Sequence, residues 1–209
     1  MKSPWLDIPL DDYESHMALP HVGQAQLLSR LLGEAIESYR PSSLALLGCA
    51  GGNGLERVPS TSVERVVGID INPQYLQRTA DRYRDRIPRL ELFAGDLGVD
   101  RFAFEPVDLA FAGLIFEYLD TTKLLEQALS MLATGGRLVS VVQLPSAIDD
   151  VTPSPYTTLQ RISSVLHVVS PKKMAALARE TGFDIEAERV VAASGGKAFQ
   201  VSAFRVAAP

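Results

Sequence analysis

The apolar residues of the chain follow two rhythms that take turns. Short uninterrupted apolar runs suit strands buried on both faces, and apolar residues at three- and four-residue steps suit amphipathic helices. Leu28, Leu31, Leu32, Ala35 and Ile36 predict a helix from His21 to about Ser38, broken at Pro41-Ser42-Ser43. Leu44 to Leu47 reads as a strand, Gly48 to Gly54 as a glycine-rich turn, and Leu55 to Val58 as a helix start. Val66 to Ile69 predicts a second strand that ends at Asp70. Asn72 then supplies a capping side chain and Pro73 a first helical residue. Tyr75, Leu76, Thr79, Ala80 and Tyr83 share one face of that helix.

Leu90 to Ala94 and Val107 to Ala112 predict two more strands, the second opening with Asp108. Asp120 caps a helix with Leu124, Leu125, Ala128 and Leu132 inward, and Thr134-Gly135-Gly136 reads as its stop. Arg137 to Leu144 is a fifth strand. The rhythm fails over 145–169, where Pro145, Pro153 and Pro155 interrupt the chain and a short helix is expected from Tyr156 to about Val165. Ser170-Pro171 opens a helix that Gly182 stops, and Ile185 to Ala192 and Ala198 to Val206 alternate as a hairpin around Ser194-Gly195-Gly196. Strand, turn and helix in repetition predict an α/β fold with a parallel sheet and right-handed crossovers, closed by an antiparallel pair. Residues 1–20, acidic and punctuated by Pro4, Pro9 and Pro20, read as irregular.

Composition narrows the function classes. A chain of 209 residues with 46% apolar content can bury the core of one domain. A net charge of −5 argues against a nucleic-acid partner, which needs a concentrated positive face. One cysteine excludes an internal disulfide, and three histidines leave little for a metal site, so none is expected. Asp7, Asp11, Asp12 and Glu14 stand where a secretory leader would be apolar, and no apolar run reaches 18 residues. The expected partner is therefore a small molecule and the expected location the cytoplasm, with no membrane contact.

The glycines carry the first chemical clue: four stand in the seven residues 48–54. Such a turn lets the backbone approach a ligand, with amide groups aimed at it. Asp70, 18 residues after Gly52, is placed to accept from both hydroxyls of a ribose, and Asp96, ending the third strand, can reach an adenine amino group. Together they describe a nucleoside-containing cofactor. The dinucleotide spacing G-x-G-x-x-G fails from Gly48 and again from Gly52, and the phosphate-loop Lys-Ser/Thr is absent.

Leu47-Gly48-Cys49-Ala50-Gly51-Gly52-Asn53-Gly54 instead resembles the first motif of class I S-adenosylmethionine-dependent methyltransferases. The resemblance continues in order through Val66–Asp70, Ala94–Leu97, Asp108–Gly113, Gly135–Val142 and the closing strand pair at 183–206. It implies a single Rossmann-like methyltransferase domain: a mainly parallel seven-stranded sheet, an antiparallel C-terminal hairpin strand and helices on both faces. It implies S-adenosylmethionine as cofactor. Gly48, Ala50 and Gly52 would line its methionine and ribose part, with Cys49 a small filler of the same turn. Asp70 would bind the ribose, Ile71 would pack on adenine, and Asp96 and Leu97 would hold the adenine edge. Ala112 and Gly113 would lie near the transferred methyl. Two positions depart from the family: Leu46 stands where an acidic residue is common, and Ala50 replaces the middle glycine. The methionine amino group is then expected to be held elsewhere, with the N-terminal segment a candidate.

Methyl transfer from a sulfonium is an in-line displacement, so positioning dominates and no obligatory triad is expected. A base is needed only where the nucleophile keeps its proton until attack. Glu117 is the candidate carboxylate and Phe116 a candidate substrate contact, because the family's catalytic neighbourhood follows the fourth strand; the plainer reading of Glu117 is a solvated residue at a helix start. Tyr13 could line the pocket and His16 could serve as base if residues 1–40 form a lid segment and helix before a domain at 41–209; both could equally pack the lid down. In the insertion at 145–169, Tyr156 is a substrate candidate, with Gln160 and Arg161. His167 reads as a buried, satisfied histidine. Arg78, Arg82, Arg84, Arg86 and Arg89, interleaved with Asp81, Asp85 and Glu91, read as a solvated face. The reading is methyl transfer to a small molecule. Its alternatives are a non-catalytic or regulatory protein on the same fold and, third, a NAD-dependent oxidoreductase.

Overall fold

The structure is a computed structural model that describes residues 3–148 and 150–207, apart from the side chain of Ser60. Its strands are β1 Ser43–Leu47, β2 Arg65–Asp70, β3 Arg89–Ala94, β4 Val107–Gly113, β5 Leu132–Gln143, β6 Phe183–Ala192 and β7 Ala198–Val206. Its α-helices are α1 Leu10–Ala18, α2 Gln24–Tyr39, α3 Pro73–Tyr83, α4 Thr121–Met131 and α5 Pro171–Thr181. The strands form one seven-stranded sheet in the order β3-β2-β1-β4-β5-β7-β6. Pairs from β3 through β5 are parallel, and β7 is antiparallel to both β5 and β6.

Alternation along the strands builds the layers. Leu44 and Leu46 face a cluster with Leu28, Leu31, Leu32 and Ile36 of α2 and Leu76 of α3. Ala45 and Leu47 face the other side, with Leu124, Leu125 and Ala128 of α4 and Met174 and Ala178 of α5. A run apolar at every position is thus explained by burial on both faces. The helix caps also follow the sequence: Asn72, Asp120 and Ser170 each accept from a backbone N–H of the first turn.

Four expectations are corrected. Residues 4–18 are not irregular: Pro4–Asp7 forms a 3-10 turn and α1 follows, burying Leu10, His16 and Met17. No side chain caps α1, which is why no start signal marks it. The helix before β5 does not run to the glycines. It ends at Met131, and Gly135 (φ 73°) and Gly136 lie inside β5, where a Cβ on Gly136 would come within 2.8 Å of Ala133 O. His167 is exposed, because 165–168 crosses the surface as a loop anchored by His167 N donating to Glu117 O at 2.9 Å. The basic face of α3 is not simply solvated, since Arg78 pairs with Asp11 and Arg82 with Glu14 of α1. Among the described residues no helix is long and apolar enough to cross a membrane.

Candidate functional site

The sheet order reverses direction between β1 and β4, and the crevice beyond their carboxyl ends is where open α/β sheets bind ligands. The chain leaves β1 through Gly48 (φ 73°) and Ala50 (φ 47°), and leaves β4 through Leu114 (φ 58°). Ala50 takes the left-handed backbone that a glycine would take freely, at a cost of about 1–2 kcal/mol. Asp70 holds the turn in that shape. Its Oδ2 accepts from Ala50 N and its Oδ1 from Asn72 N, both at 2.8 Å. Burial pushes the Asp70 carboxyl up to about 6, against the lowering effect of these two bonds.

Three cavities meet here. The first, about 280 Å³, lies against Gly48, Ala50, Asp70, Ile71, Gly95, Asp96, Leu97 and Gly113, with Trp5, Tyr13 and Tyr118 over them. The second, about 260 Å³, lies on the other side of the turn and is lined by Leu46, Gly48, Cys49, Ala50, Phe111 and Gly113, with Glu14, Glu56 and Arg82 at its polar side. The third, about 50 Å³, lies between α1, the end of β5 and the insertion, and is lined by His16, Gln24, Glu117, Gln143, Asp150 and Thr152 beside apolar side chains. Tyr13 borders all three. Trp5 meets Tyr13 and Tyr118 edge-on at ring separations of 5.5 and 5.0 Å, and Tyr13 stacks on Tyr75 at 6.4 Å. These aromatic faces could hold a cation.

The N-terminal segment that supplies Trp5 and Tyr13 is held by polar clasps. Asn72 Nδ2 donates to Trp5 O at 3.0 Å, and Tyr75 Oη donates to Ile8 O at 2.9 Å. Thr158 Oγ1 of the insertion donates to Asp12 Oδ2 at 2.7 Å. Arg82 meets both carboxylate oxygens of Glu14, at 2.5 and 2.8 Å, and also donates to Gly51 O.

Glu117 is not a solvated helix-start residue: it is 2% exposed. Phe116, fully buried in the core under α4, anchors its 3-10 turn from below. Glu117 Oε1 accepts from Gln143 N at 2.6 Å, while Oε2 has no partner. Burial pushes its carboxyl up to about 7. His16 Nδ1 lies 2.9 Å from Ser154 Oγ, and burial, then the Lys197 charge, lower its pKa.

Of the sequence candidates, Gly48, Ala50, Asp70, Ile71, Asp96, Leu97 and Gly113 come together on the first cavity, Cys49 on the second, and His16 and Glu117 on the third. Gly52 borders none of them; its N–H closes the turn on Cys49 O at 2.8 Å. Ala112 is fully buried on the α4 side of the sheet, because side chains alternate and Gly113 takes the crevice side. Phe116, expected to contact substrate, is instead a core anchor, since it is fully buried under α4. Tyr156 packs beside Leu159, Ile162 and Ile8 and borders none of the three cavities. Burial pushes the Cys49 thiol well up, the opposite of what a nucleophile needs. The residues that sequence reasoning missed are Trp5, Tyr118, Glu14, Arg82, Gln143 and Lys197. Among the described residues no cluster of metal-ligating side chains occurs.

A seven-stranded sheet with this strand order, a glycine turn after β1 and a carboxylate ending β2 define the class I S-adenosylmethionine-dependent methyltransferase fold. The comparisons agree. A family model for a methyltransferase domain matches residues 46–138. The N-methyltransferase NodS of Bradyrhizobium japonicum WM9, solved with S-adenosyl-L-homocysteine, is 23% identical over 88% of this chain and 87% of that one, with TM-score 0.65. The magnesium protoporphyrin IX methyltransferase of Synechocystis PCC 6803, with the same compound bound, is 12% identical over 88% and 84%, with TM-score 0.65. The [4+2]-cyclase SpnF is 15% identical over 87% and 82%, with TM-score 0.67. No curated protein matches the chain.

Proposed function

We propose that the protein transfers a methyl group from S-adenosylmethionine to a small-molecule acceptor. The observation that carries this reading is the arrangement around Tyr13. Two cavities on either side of the β1 turn fit a nucleoside and an amino-acid end, and a third holds a buried carboxylate with one unpartnered oxygen. The cofactor, when bound, supplies an activated methyl on sulfur.

This chain's residues fit the cofactor. Asp70 uses one lone pair of each oxygen on the backbone, and a carboxylate has about four acceptor sites, so both oxygens can still accept from ribose hydroxyls. Ile71 and Leu97 offer apolar faces for a purine, and Asp96 lies at the same edge. Leu46 has no charge to offer an amino group, but Glu14 and Arg82 border the second cavity with opposite charges. They match the two ends of an α-amino acid. The lid would thus supply the carboxylate that the β1 turn lacks.

In this reading Glu117 Oε2, buried without a partner on the third cavity, takes the proton from the nucleophile. With a carboxyl near 7, it exchanges a proton close to neutral pH. Bound S-adenosylmethionine would supply the methyl and keep the departing electron pair on sulfur, and Glu117 would take the proton that the acceptor gives up. Trp5, Tyr13 and Tyr118 close the cleft and exclude water.

Calorimetric titration with S-adenosylmethionine and with NAD tests the reading. Micromolar binding of the first and none of the second is expected, and binding of neither at millimolar concentration favours a non-catalytic protein. Cofactor affinity unchanged by Asp70→Ala would sink the ribose placement.

A further inference from the structure

The third cavity carries more information than a base, and the inference drawn from it rests on the methyl-transfer reading. Trp5 Nε1, Glu117 Oε2 and Gln143 Nε2 are buried without a partner, and all three residues line this one cavity. Gln143 is only 4% exposed. Leaving such atoms unpaired in a buried site is costly, so Glu117 Oε2 and Gln143 Nε2 on one cavity call for a ligand with a donor for the first and an acceptor for the second.

The direction of the Gln143 amide is set by its neighbours. Lys197 Nζ donates to Gln143 Oε1 at 3.2 Å and to Asp150 O at 2.7 Å. An ammonium has no lone pair to offer, so the amide oxygen must face Lys197 and the NH₂ must face away from it. The backbone N–H of the same Gln143 takes Glu117 Oε1. One residue therefore fixes both an amide donor and a carboxylate acceptor on the cavity wall. Met17, Leu114 and Leu166 supply apolar wall, and Gln24, Asp150 and Thr152 supply polar wall.

We infer that the methyl acceptor is a small molecule whose N–H or O–H donates to Glu117 Oε2 while a neighbouring oxygen accepts from Gln143 Nε2. An amine or hydroxyl beside an ether or carbonyl oxygen has this pattern. A lone hydroxyl or amine can meet Gln143 Nε2 only with a lone pair of the atom that must attack the methyl, whereas a second oxygen leaves that atom free. Lys197 is a positioning residue that holds the amide in its donating orientation.

The test is NMR titration of the full chain, with and without S-adenosylhomocysteine. The probes are 2-methoxyphenol and 2-methoxyaniline, each against phenol, aniline, anisole and toluene. The two-function probes should bind at least about tenfold more tightly than either one-function relative. Which of the two binds better separates a hydroxyl from an amine acceptor. Gln143→Leu should abolish the advantage. Lys197→Met, which frees the amide to flip, should reduce it while leaving the calorimetric affinity for S-adenosylhomocysteine unchanged. Thermal melts check that each variant folds. Equal binding of one- and two-function probes, no binding of any probe, or an advantage that survives both substitutions overturns the inference. Failure of S-adenosylhomocysteine to bind overturns the methyl-transfer reading instead, and the probes on the bare protein still decide this one.

Discussion

Glu117 Oε1 lies 2.6 Å from Gln143 N, while Oε2 of the same carboxylate, with 2% of its surface exposed, has no partner. Desolvation outweighs that bond and raises the carboxyl from 4.5 to about 7. Asp70 is raised from 3.8 to about 6 in the same way. The folded protein therefore keeps protons that the unfolded chain has released. The stabilisation that these groups give is complete below about 4 and is lost as pH rises through 6 and 7. Glu117→Gln removes the penalty of the ionised form while an amide oxygen keeps the bond from Gln143 N. We expect the variant to be more stable above pH 7.5 by on the order of 1–3 kcal/mol, or several degrees in melting temperature, and little changed at pH 4.5. Melting curves at the two pH values check this. A variant less stable than the parent at pH 8 would contradict it.

The same substitution should cost activity. With Glu117 as base, kcat/KM rises with pH through about 7 and levels off above it. The groups that face Glu117 are His16 from α1, Tyr13, Tyr118, Asp150 and, behind Gln143, Lys197. Burial and then the Lys197 charge lower the His16 pKa, which favours its neutral form. Glu117→Gln should lower kcat by about 10²–10⁴-fold and flatten the pH profile. His16→Gln should cost much less and leave the inflection in place. An inflection that disappears with His16 instead would reassign the base. S-adenosylhomocysteine release against pH is the measurement.

The elements of this fold were legible because each carries its own local signal. Leu44 to Leu47 is apolar at every position because α2 and α4 cover both faces, and Asn72-Pro73 announces α3 before it begins. Asp70 was legible because a carboxylate ending β2 has one obvious ribose role. The acceptor side was not. Glu14 reaches Arg82, and Lys197 reaches Gln143, only because the lid and the hairpin fold back over the crevice from distant parts of the chain. No spacing rule links them. Glu117 looked solvated because its neighbours in sequence are mixed, and its burial depends on Phe116 reaching the core. Trp5 could have been suspected: the sole tryptophan, set in an acidic segment, is costly to leave exposed.

Ala50 is a test of the β1 turn. Its φ of 47° is one that a Cβ disfavours, and Asp70 holds it there through Ala50 N. Ala50→Gly relieves that strain, worth about 1–2 kcal/mol, but gives back about 0.5–1 kcal/mol as chain entropy in the unfolded state. We expect a variant as stable as the parent or up to about 1.5 kcal/mol more stable, with cofactor affinity retained. Ala50→Val should lose stability and cofactor affinity together, since a branched side chain resists this backbone. Urea denaturation of both variants decides it, and a strongly destabilised Ala50→Gly would show that the methyl itself packs.

Asp70 serves the turn and the ligand at once, and two substitutions separate these roles. Asp70→Ala removes the acceptors for Ala50 N, Asn72 N and the ribose, and should weaken S-adenosylmethionine by about 10²-fold or more, with loss of stability. Asp70→Asn keeps one oxygen acceptor and loses the charge. It should weaken binding about tenfold or more, with the melting temperature held closer to that of the parent. Calorimetry on both gives the ratio. Equal affinities for the two variants would mean that only the side chain's bulk matters.

The lid clasp predicts a split between stability and binding. Arg82 and Glu14 are each about one-third exposed, at 36% and 32%, so solvent screens their pairing and the ion pair contributes no more than about 1 kcal/mol. Arg82→Ala should accordingly leave the melting temperature within about 2–4 °C of the parent. Its cofactor affinity should nonetheless fall about tenfold, because Arg82 also donates to Gly51 O and faces the cavity that suits the amino-acid end. Glu14→Gln should weaken S-adenosylmethionine more than it weakens adenosine, which lacks the amino-acid end. That difference separates a ligand role from a lid role: a lid loosened as a whole would weaken both compounds alike. Parallel calorimetric titrations with the two compounds on each variant make the comparison, and equal losses for adenosine and S-adenosylmethionine would remove Glu14 from the binding site.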